Sequence, residues 1–289
     1  MILVIGGTGT TGTEILKELS RLGARTRALV RKKSHKIEWP GVEQVEGDLG
    51  RPEMIAPALE GVQSAFLLTA PAPDADRLQG NFIGVAKRTK LPHLVKYSAY
   101  GAAPASPARF LRQHGDIEKK IQDTGIPYTF LRPAQFMQNF VGFRETIMGQ
   151  GEFYAPQGDG RINLVDVRDA AAVAARVLTE PGHTGEVYEI TGPEAITYTR
   201  VAEALSQALD RPVRYVNVPP EVYRQALARF GVPEWIAEGI VELHDIWRIA
   251  GATGITNVVE KIAKKKPYSI AEFARDYAPQ FLGEAAARG

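Results

Sequence analysis

The sequence contains no cysteine, which excludes disulfide bonds, thiolate-bound metals and cysteine nucleophiles. It also lacks an apolar run approaching the roughly 18–20 residues that a membrane-spanning helix requires. Neither sign of charge predominates, since 35 lysines and arginines stand against 33 aspartates and glutamates, so there is no electrostatic case for nucleic acid as the main partner. The N-terminus shows neither the charged segment nor the cleavage site of a secretory leader, and these features together predict a soluble cytoplasmic protein.

The first half of the chain alternates short apolar segments with longer amphipathic ones, which is the pattern of parallel strands joined by helical crossovers. Strands are predicted at 2–5, 26–30, 42–45, 65–68, 94–98 and 128–131, and helices at 13–22, 52–60, 75–90 and 107–124. The second half is less regular, with predicted strands at 187–190 and 213–218 and helices at 168–178, 198–209, 220–230, 233–249 and 269–277. This order predicts an α/β fold of the Rossmann type, a parallel sheet with helices on both faces.

A glycine-rich loop follows the first predicted strand and leads into the first predicted helix. It fits both G-x-G-x-x-G and G-x-x-G-x-x-G and consists of Gly6, Gly7, Thr8, Gly9, Thr10, Thr11 and Gly12. In this setting the glycines form a tight turn and let the backbone approach a pyrophosphate, while the helix N-terminus presents free N–H groups to the phosphates. The loop therefore predicts a dinucleotide cofactor.

The end of the second predicted strand bears on which dinucleotide is bound. An NAD-specific site usually places an acid there to hold the ribose 2′-hydroxyl, whereas this chain has Arg31, Lys32 and Lys33 and no carboxylate. Because Arg31 is suited to pair with a 2′-phosphate, NADP(H) is favoured. NAD(H) remains possible, since the cations are also explained as ordinary surface charges.

Further cofactor contacts are expected where other predicted strands end. Asp48 and Leu49 follow the third strand, near the expected adenine edge, although Asp48 is equally explained as a turn residue. Thr69 and Ala70 follow the fourth strand, and Ser98 ends the fifth, where its hydroxyl would face the nicotinamide.

With these residues placed, the chain resembles the atypical short-chain dehydrogenase/reductases, in particular their NmrA-like group. The resemblance extends over nearly the whole chain and rests on Arg31 and on the segments VIGGTGTTG (4–12), GDL (47–49), YSA (97–99), GIPYTFLRP (125–133) and VDVRD (165–169). It implies an NAD(P)-binding domain in 1–150 and a smaller substrate-binding α+β lobe in 151–289, from which 160–192 return to the first domain. It also implies that Pro133 borders the nicotinamide, and that the protein is either a reductase of quinones or dyes or a redox-sensing regulator without turnover.

The Tyr–Lys pair of ordinary short-chain reductases is missing. A phenol has a pKa of about 10 and needs a neighbouring lysine to work near neutral pH, yet none of the ten tyrosines has lysine four residues later. His114 and Glu118 have the corresponding spacing, one helical turn apart, and the resemblance suggests the same substitution. Either His114 donates to the substrate, tuned by Glu118, or it is structural. No metal site is expected, because the other histidines lack ligand-like spacing: His35, His93, His183 and His244.

An aromatic segment after the sixth predicted strand is the candidate substrate pocket, because ligands of open α/β sheets lie beyond the carboxyl ends of strands. Its residues either contact a flat, apolar, conjugated substrate or pack against the second lobe: Gln135, Phe136, Met137, Asn139 and Phe140. The leading hypothesis is an NADPH-dependent reductase of a quinone or another conjugated, electron-poor acceptor. The alternatives are an NADP(H)-binding regulator with a protein partner, and an epimerase or dehydratase, which the missing Tyr–Lys pair disfavours.

Overall fold

The computed structural model describes residues 1–32, 37–251 and 254–283, so that Lys33 and His35 lie outside the described residues. The chain divides into two compact units, and the first is made of Met1–Pro133, Val167–Ile190 and Val258–Lys265. The second comprises Ala134–Asp166, Thr191–Asn257 and the described part of Lys266–Gly289. Each unit has a hydrophobic core of its own.

A seven-stranded sheet forms the centre of the first unit. Its strands are β1 (Ile2–Ile5), β2 (Thr26–Val30), β3 (Val42–Glu46), β4 (Ser64–Leu67), β5 (Leu94–Tyr97), β6 (Tyr128–Pro133) and, later in the chain, β9 (Val187–Ile190). They lie in the order β3-β2-β1-β4-β5-β6-β9, and all neighbouring pairs are parallel. The strand order reverses between β1 and β4, which is the place where doubly wound sheets bind ligands.

Helices cover both faces of this sheet, which confirms the predicted Rossmann-type class. Successive residues of a strand point to opposite faces, and every residue of β1 and of β4 is buried. The helices of the first unit are α1 (Thr10–Arg21), α2 (Ile55–Ala58), α3 (Ala75–Arg88), α4 (Arg109–Thr124) and α6 (Val167–Thr179), with a π-helical turn at Val259–Ala263. α1 packs on α6, and α3 packs on α4.

Three predicted helices differ from the observed ones, and one of them is the last helix of the chain, which ends at Leu282 rather than at residue 277. α1 begins at Thr10 rather than at residue 13, because the glycine-rich loop runs directly into the helix and Gly9 is its N-cap. Residues 52–60 do not form one helix but a 3-10 turn at Pro52–Met54 followed by the four-residue α2, since prolines remove backbone donors there. The six strands predicted in the first half of the chain agree with the observed strands to within two residues at each end.

The second unit is smaller and mixed in secondary structure. It contains a 3-10 stretch at Met137–Phe143, the helices α5 (Arg144–Gln150), α7 (Tyr198–Leu209), α8 (Pro220–Arg229), α9 (Glu234–Ala250) and α10 (Ile270–Leu282), and the short strands β7 (Glu152–Ala155), β8 (Ile162–Asn163), β10 (Ala195–Ile196) and β11 (Arg214–Asn217). β7 pairs with β11, and β8 pairs with β10. Its core is aromatic, and the rings of Phe140, Phe153 and Tyr198 lie within 6.0 Å of one another between centroids. None of the helices in the described ranges is long and apolar enough to cross a membrane.

Candidate active site

The glycine-rich loop contains glycines that the fold requires and one that it does not. Gly6 has a φ of +83°, in the left-handed region that favours glycine. A Cβ atom on Gly12 would lie only 2.0 Å from the carbonyl oxygen of Gly6, and one on Gly7 would lie 2.9 Å from the side chain of Leu16. Gly9 has a φ of −86°, and a Cβ atom there would meet nothing within the described chain closer than the Gly6 oxygen at 3.7 Å. Packing within the described chain therefore does not require glycine at this position, and contact of Gly9 with a phosphate stays a prediction.

The N-terminus of α1 is suited to an anion. Gly9 provides no side-chain cap, the first turn holds no acidic residue, and Thr8, Gly9 and Thr10 are exposed. The free N–H groups and the positive end of the helix dipole favour a phosphate at such a position. Thr11 is buried, as is Tyr97 at the end of β5, and burial raises the pKa of the Tyr97 hydroxyl, so Tyr97 stays protonated.

The cations predicted to select the cofactor are at the surface. Arg31 and Lys32 follow β2 directly, and both side chains are exposed. No carboxylate occupies either position, so nothing there would repel a 2′-phosphate. The position keeps Arg31 available for the charge-assisted pairing that the sequence predicts.

Asp48 and Leu49 have roles within the fold. The Oδ1 atom of Asp48 accepts a hydrogen bond from the N–H group of Gly50 at 2.7 Å, which is the geometry of a turn. Leu49 is 8% exposed in the core of the first unit, and its carbonyl oxygen accepts from the side chain of Asn81 at 2.8 Å. The turn interpretation of Asp48 therefore has direct support, and contact of either residue with an adenine stays a prediction.

The ends of β4, β5 and β6 carry the remaining predicted cofactor residues. Thr69 accepts a hydrogen bond from Gln79 at 2.9 Å, Ala70 is exposed, and Pro133 is buried. Ser98 is only 4% exposed, and its Oγ atom has no hydrogen-bond partner in the part of the chain that the structure describes. An unsatisfied buried hydroxyl is unfavourable, so the Ser98 hydroxyl fits a polar group of a bound ligand at this strand end.

His114 lies on α4 beside a lysine that the sequence pattern did not single out. Lys96 on β5 is fully buried, its Nζ atom lies 3.2 Å from Nδ1 of His114, and it also donates to the carbonyl oxygen of Tyr97. Burial lowers the pKa of Lys96 to about 7, although the charge of Glu118 acts in the opposite direction. Burial and the charge of Lys96 hold the pKa of His114 well below its usual value, so the imidazole is neutral. The sequence signal that could have identified Lys96 is a lysine inside a strand that is otherwise apolar or aromatic, because strands buried on both faces rarely carry charge.

Glu118 pairs with Arg132 on β6 rather than with His114. Its two carboxylate oxygens accept from Nε and Nη2 of Arg132 at 3.0 and 2.5 Å, and Glu118 is 5% exposed. The hydrogen bonds from Arg132 to Glu118 raise the pKa of Arg132, so the half-buried guanidinium stays charged beside buried Glu118. The charge of Glu118 acts instead on Lys96, whose protonated form it favours and which contacts His114, and a tuning of His114 by Glu118 stays a prediction.

Lys96→Met is expected to raise the free energy of unfolding at neutral pH, because it removes a buried ammonium group from the sheet. The pKa of Lys96 is about 7 when folded and 10.5 when unperturbed, so between these values the unfolded wild type binds the additional proton and wild-type stability rises with pH. The stability difference between variant and wild type should therefore shrink by about 1.4 kcal/mol per pH unit across this range.

Urea unfolding of both proteins from about pH 7 to about pH 9.5 measures this difference. The matched control is Lys119→Met, which alters an exposed lysine of α4. For this control we expect a small difference from wild type that does not change with pH. A pH-independent difference for Lys96→Met as well would contradict the low pKa of Lys96.

The predicted substrate segment is divided between the core and the surface of the second unit. Met137 and Phe140 are 2% and 1% exposed and lie in the hydrophobic core, as in the packing alternative. Gln135 donates to a tyrosine hydroxyl of α7 at 3.0 Å, Phe136 is partly exposed, and Asn139 is exposed. Contact with a substrate stays a prediction for these last three residues.

The other described histidines are held by neighbouring side chains. His93, His183 and His244 each have a ring nitrogen within 2.9 Å of a side-chain oxygen of the same unit. Among the described residues, no group of three or more histidine, aspartate or glutamate side chains is placed to hold a metal ion.

Comparison with known proteins gives full-length relatives. The NAD(P)H azoreductase of Xenophilus azovorans is 38% identical over 97% of this chain and 99% of that protein. The (4-alkanoyl-5-oxo-2,5-dihydrofuran-3-yl)methyl phosphate reductase of Streptomyces griseus is 32% identical over 98% of this chain and 100% of that protein. The NADPH-dependent quinone oxidoreductase QOR2 of Escherichia coli, whose crystal structure contains NADPH, is similar with a TM-score of 0.87 and 27% identity over 95% of this chain and 98% of that chain.

The model of the NmrA-like family matches residues 1–274, almost the whole length of the chain. The matched range spans the whole of the first half of the chain, in which the glycine-rich loop lies. The resemblance inferred from the sequence is therefore confirmed, and the chain belongs to the NmrA-like family.

Proposed function

We propose that this protein is an NADPH-dependent reductase that transfers hydride to a quinone, an azo compound or another conjugated, electron-poor acceptor. The observation that carries the proposal is the full-length similarity to the NAD(P)H azoreductase, which extends over 97% of this chain. The reductase of Streptomyces griseus and the quinone oxidoreductase QOR2 support the same class, since the names of all three relatives describe reduction of conjugated compounds.

The first unit has the groups that NADPH requires. The N–H groups at the start of α1 and the open backbone at Gly9 would hold the pyrophosphate, and Arg31 would hold the 2′-phosphate. The hydroxyl of Ser98, which has no hydrogen-bond partner among the described residues, would donate to a polar group near the nicotinamide. The chemistry that NADPH supplies when bound is a hydride from its nicotinamide ring.

The reduction of such acceptors needs a proton as well as a hydride. A conjugated acceptor delocalises the incoming negative charge, so a strongly activated acid of the Tyr–Lys type is not essential. His114 is the proposed donor, because its neutral imidazole is half-buried on α4 and carries a proton on one ring nitrogen. Gln135, Phe136 and Asn139 are the proposed contacts to the acceptor, which is a small, flat, largely apolar molecule.

His114→Ala is expected to lower kcat by at least about tenfold, at the modest end of general acid–base effects. The affinity for NADPH should change little, because the phosphate-binding groups lie in the loop before α1 and after β2. Steady-state kinetics with a quinone and a calorimetric titration of NADPH measure the two quantities. Asp116→Ala, an exposed position on the same helix, is the matched control. Wild-type turnover in the His114→Ala protein would mean that His114 is structural.

The proposed function is tested by following NADPH oxidation optically against a panel of acceptors. The panel contains a naphthoquinone, a benzoquinone, a monoazo dye and an α,β-unsaturated lactone, each offered with NADPH and with NADH. We expect protein-dependent oxidation with at least one conjugated acceptor and a higher kcat/KM with NADPH than with NADH. Oxidation of NADPH with none of these acceptors, or only with an added saturated ketone or aldehyde, would contradict the proposed acceptor class.

A further inference from the structure

We propose that Lys96 and His114 form a proton relay, in which Lys96 is the internal proton donor and His114 passes a proton to the acceptor as hydride arrives. This inference rests on the proposed reductase function and assigns a positioning and proton-storing role to a lysine outside the dinucleotide-binding motif. It also identifies what takes the place of the missing Tyr–Lys pair.

The geometry fixes the direction of the relay. The Nζ atom of Lys96 lies 3.2 Å from Nδ1 of His114, within reach of a hydrogen bond. An ammonium group has only donors, so protonated Lys96 donates to Nδ1, and the proton of the neutral imidazole must be on Nε2. The Nε2 atom has no hydrogen-bond partner among the described residues, and part of the ring surface is exposed. His114 therefore presents an N–H donor on the side away from Lys96.

The buried position explains why a lysine can give up its proton here. Lys96 lies in the central sheet with no exposed surface, and its other hydrogen bond goes to a neutral carbonyl oxygen, that of Tyr97. Burial lowers its pKa to about 7, so protonated and neutral forms interconvert near neutral pH. An exposed lysine, with a pKa of about 10.4, would hold its proton too tightly for this purpose.

Other charged or titratable groups near the pair do not replace Lys96 as the donor. Glu118, on α4, is already paired with Arg132, on β6, and the charge of Glu189, on β9, also favours the protonated form of Arg132. Tyr97, on β5, stays protonated because burial raises its pKa. The charge of Glu118 limits the lowering of the Lys96 pKa, and both oxygens of Glu118 accept hydrogen bonds from Arg132.

The proton transfers balance in both directions. When the reduced acceptor takes a proton, the Nε2–H bond of His114 breaks and an O–H or N–H bond forms on the acceptor. At the same time an Nζ–H bond of Lys96 breaks and an Nδ1–H bond forms, so His114 stays neutral in its other tautomer and Lys96 becomes a neutral amine. The relay resets when a proton from solvent binds Nε2 and the Nδ1 proton returns to Lys96.

The first experiment measures the tautomer of His114 by nitrogen-15 NMR of cofactor-free protein with labelled histidine. We expect the Nε2–H tautomer in the wild type at about pH 6 and in Lys96→Arg, because arginine also donates to Nδ1. In Lys96→Met we expect a shift toward a tautomer mixture, because no donor remains at Nδ1. Lys119→Met, an exposed lysine of α4, serves as the control and should keep the wild-type signal.

The second experiment compares the pH dependence of kcat with a quinone and NADPH. Wild-type kcat should fall as the pH rises through about 7, because the relay needs protonated Lys96. Lys96→Met and Lys96→Arg should both lose at least about tenfold in kcat, and both should lose the step near pH 7, because methionine has no proton and arginine does not release one. The KM for NADPH should stay near the wild-type value.

The two readouts separate this inference from the proposed function. An Nδ1–H tautomer in the wild type, or wild-type kcat and pH profile in Lys96→Arg, would overturn the relay even if the protein reduces quinones. If the wild type has the expected tautomer but none of the acceptors supports NADPH oxidation, the reductase function is overturned, and with it the catalytic role of the relay. The expected tautomers together with loss of the pH step in both Lys96 variants would support the relay.

Discussion

Gly9→Val should lower the affinity for NADPH by at least about 100-fold while leaving the chain folded. A branched side chain at Gly9 would fill the space from which backbone N–H groups reach the pyrophosphate. Two charge-assisted hydrogen bonds lost in this way, at about 1.5–3 kcal/mol each, correspond to at least two decades in Kd. NADH should lose affinity to a similar degree, because both dinucleotides share the pyrophosphate.

The fold tolerates this change because Gly9 has a common backbone conformation and no close neighbour. Its φ is −86°, and a Cβ atom would be 3.7 Å from the nearest described atom. Gly149→Val is the matched control, since a Cβ atom on Gly149 in α5 would meet no described atom within 4 Å. Thermal unfolding and calorimetric titration of the three proteins give stability and affinity separately. If Gly9→Val keeps wild-type affinity for NADPH, the loop is not the pyrophosphate site.

Arg31→Ala should weaken NADPH binding by roughly 10- to 150-fold and change NADH binding much less. This factor in NADPH affinity corresponds to the loss of one charge-assisted hydrogen bond to the 2′-phosphate, which is worth about 1.5–3 kcal/mol. We expect a loss of NADPH affinity at the lower end of this range, because Lys32 follows Arg31 directly, is also exposed and can partly replace its charge. Arg31→Asp should reduce the preference for NADPH further, since a carboxylate repels the phosphate and accepts a hydrogen bond from the free 2′-hydroxyl of NADH.

The measurement is a calorimetric titration of NADPH and NADH into the wild type and the two Arg31 variants. Arg21→Ala is a suitable control, because Arg21 is an exposed arginine in the last turn of α1, at the end opposite the loop. Only the ratio of the two affinities matters, so a general loss of stability would not imitate the effect. An unchanged ratio in all proteins would make Arg31 an ordinary surface charge and remove the basis for NADPH selectivity.

The sheet could be predicted from the sequence because its strands are short apolar segments flanked by clear turn residues. The strand Ile2–Ile5, which is followed by Gly6, and the strand Thr26–Val30, which is followed by Arg31, match their predicted bounds. Short elements such as α2 (Ile55–Ala58) and β8 (Ile162–Asn163) are different, since two to four residues carry no usable periodicity. Their positions depend on tertiary packing that a linear pattern does not encode.

The candidate site also has parts that the sequence predicts and parts that it does not. The glycine-rich loop and the cations after β2 could be found because each is a contiguous motif with its own mechanism. The partners of His114 and Glu118 could not be found, because Lys96 and Arg132 are 18 and 14 positions away and meet them only through tertiary contacts between α4 and the strands β5 and β6. Helical spacing indicated a pairing of His114 with Glu118. Each of them instead has a hydrogen-bond partner on a strand, Lys96 for His114 and Arg132 for Glu118.

Single-turnover oxidation of bound NADPH by a quinone tests the central claim most directly. The protein is mixed anaerobically with one equivalent of NADPH and then with an excess of a naphthoquinone, and the absorbance of the reduced nicotinamide is followed. We expect the absorbance to disappear with formation of one equivalent of hydroquinone, much faster than in the absence of protein. Tight binding of NADPH with no oxidation by the quinone, by an azo dye or by an unsaturated lactone would contradict the reductase function and leave a cofactor-binding protein without turnover.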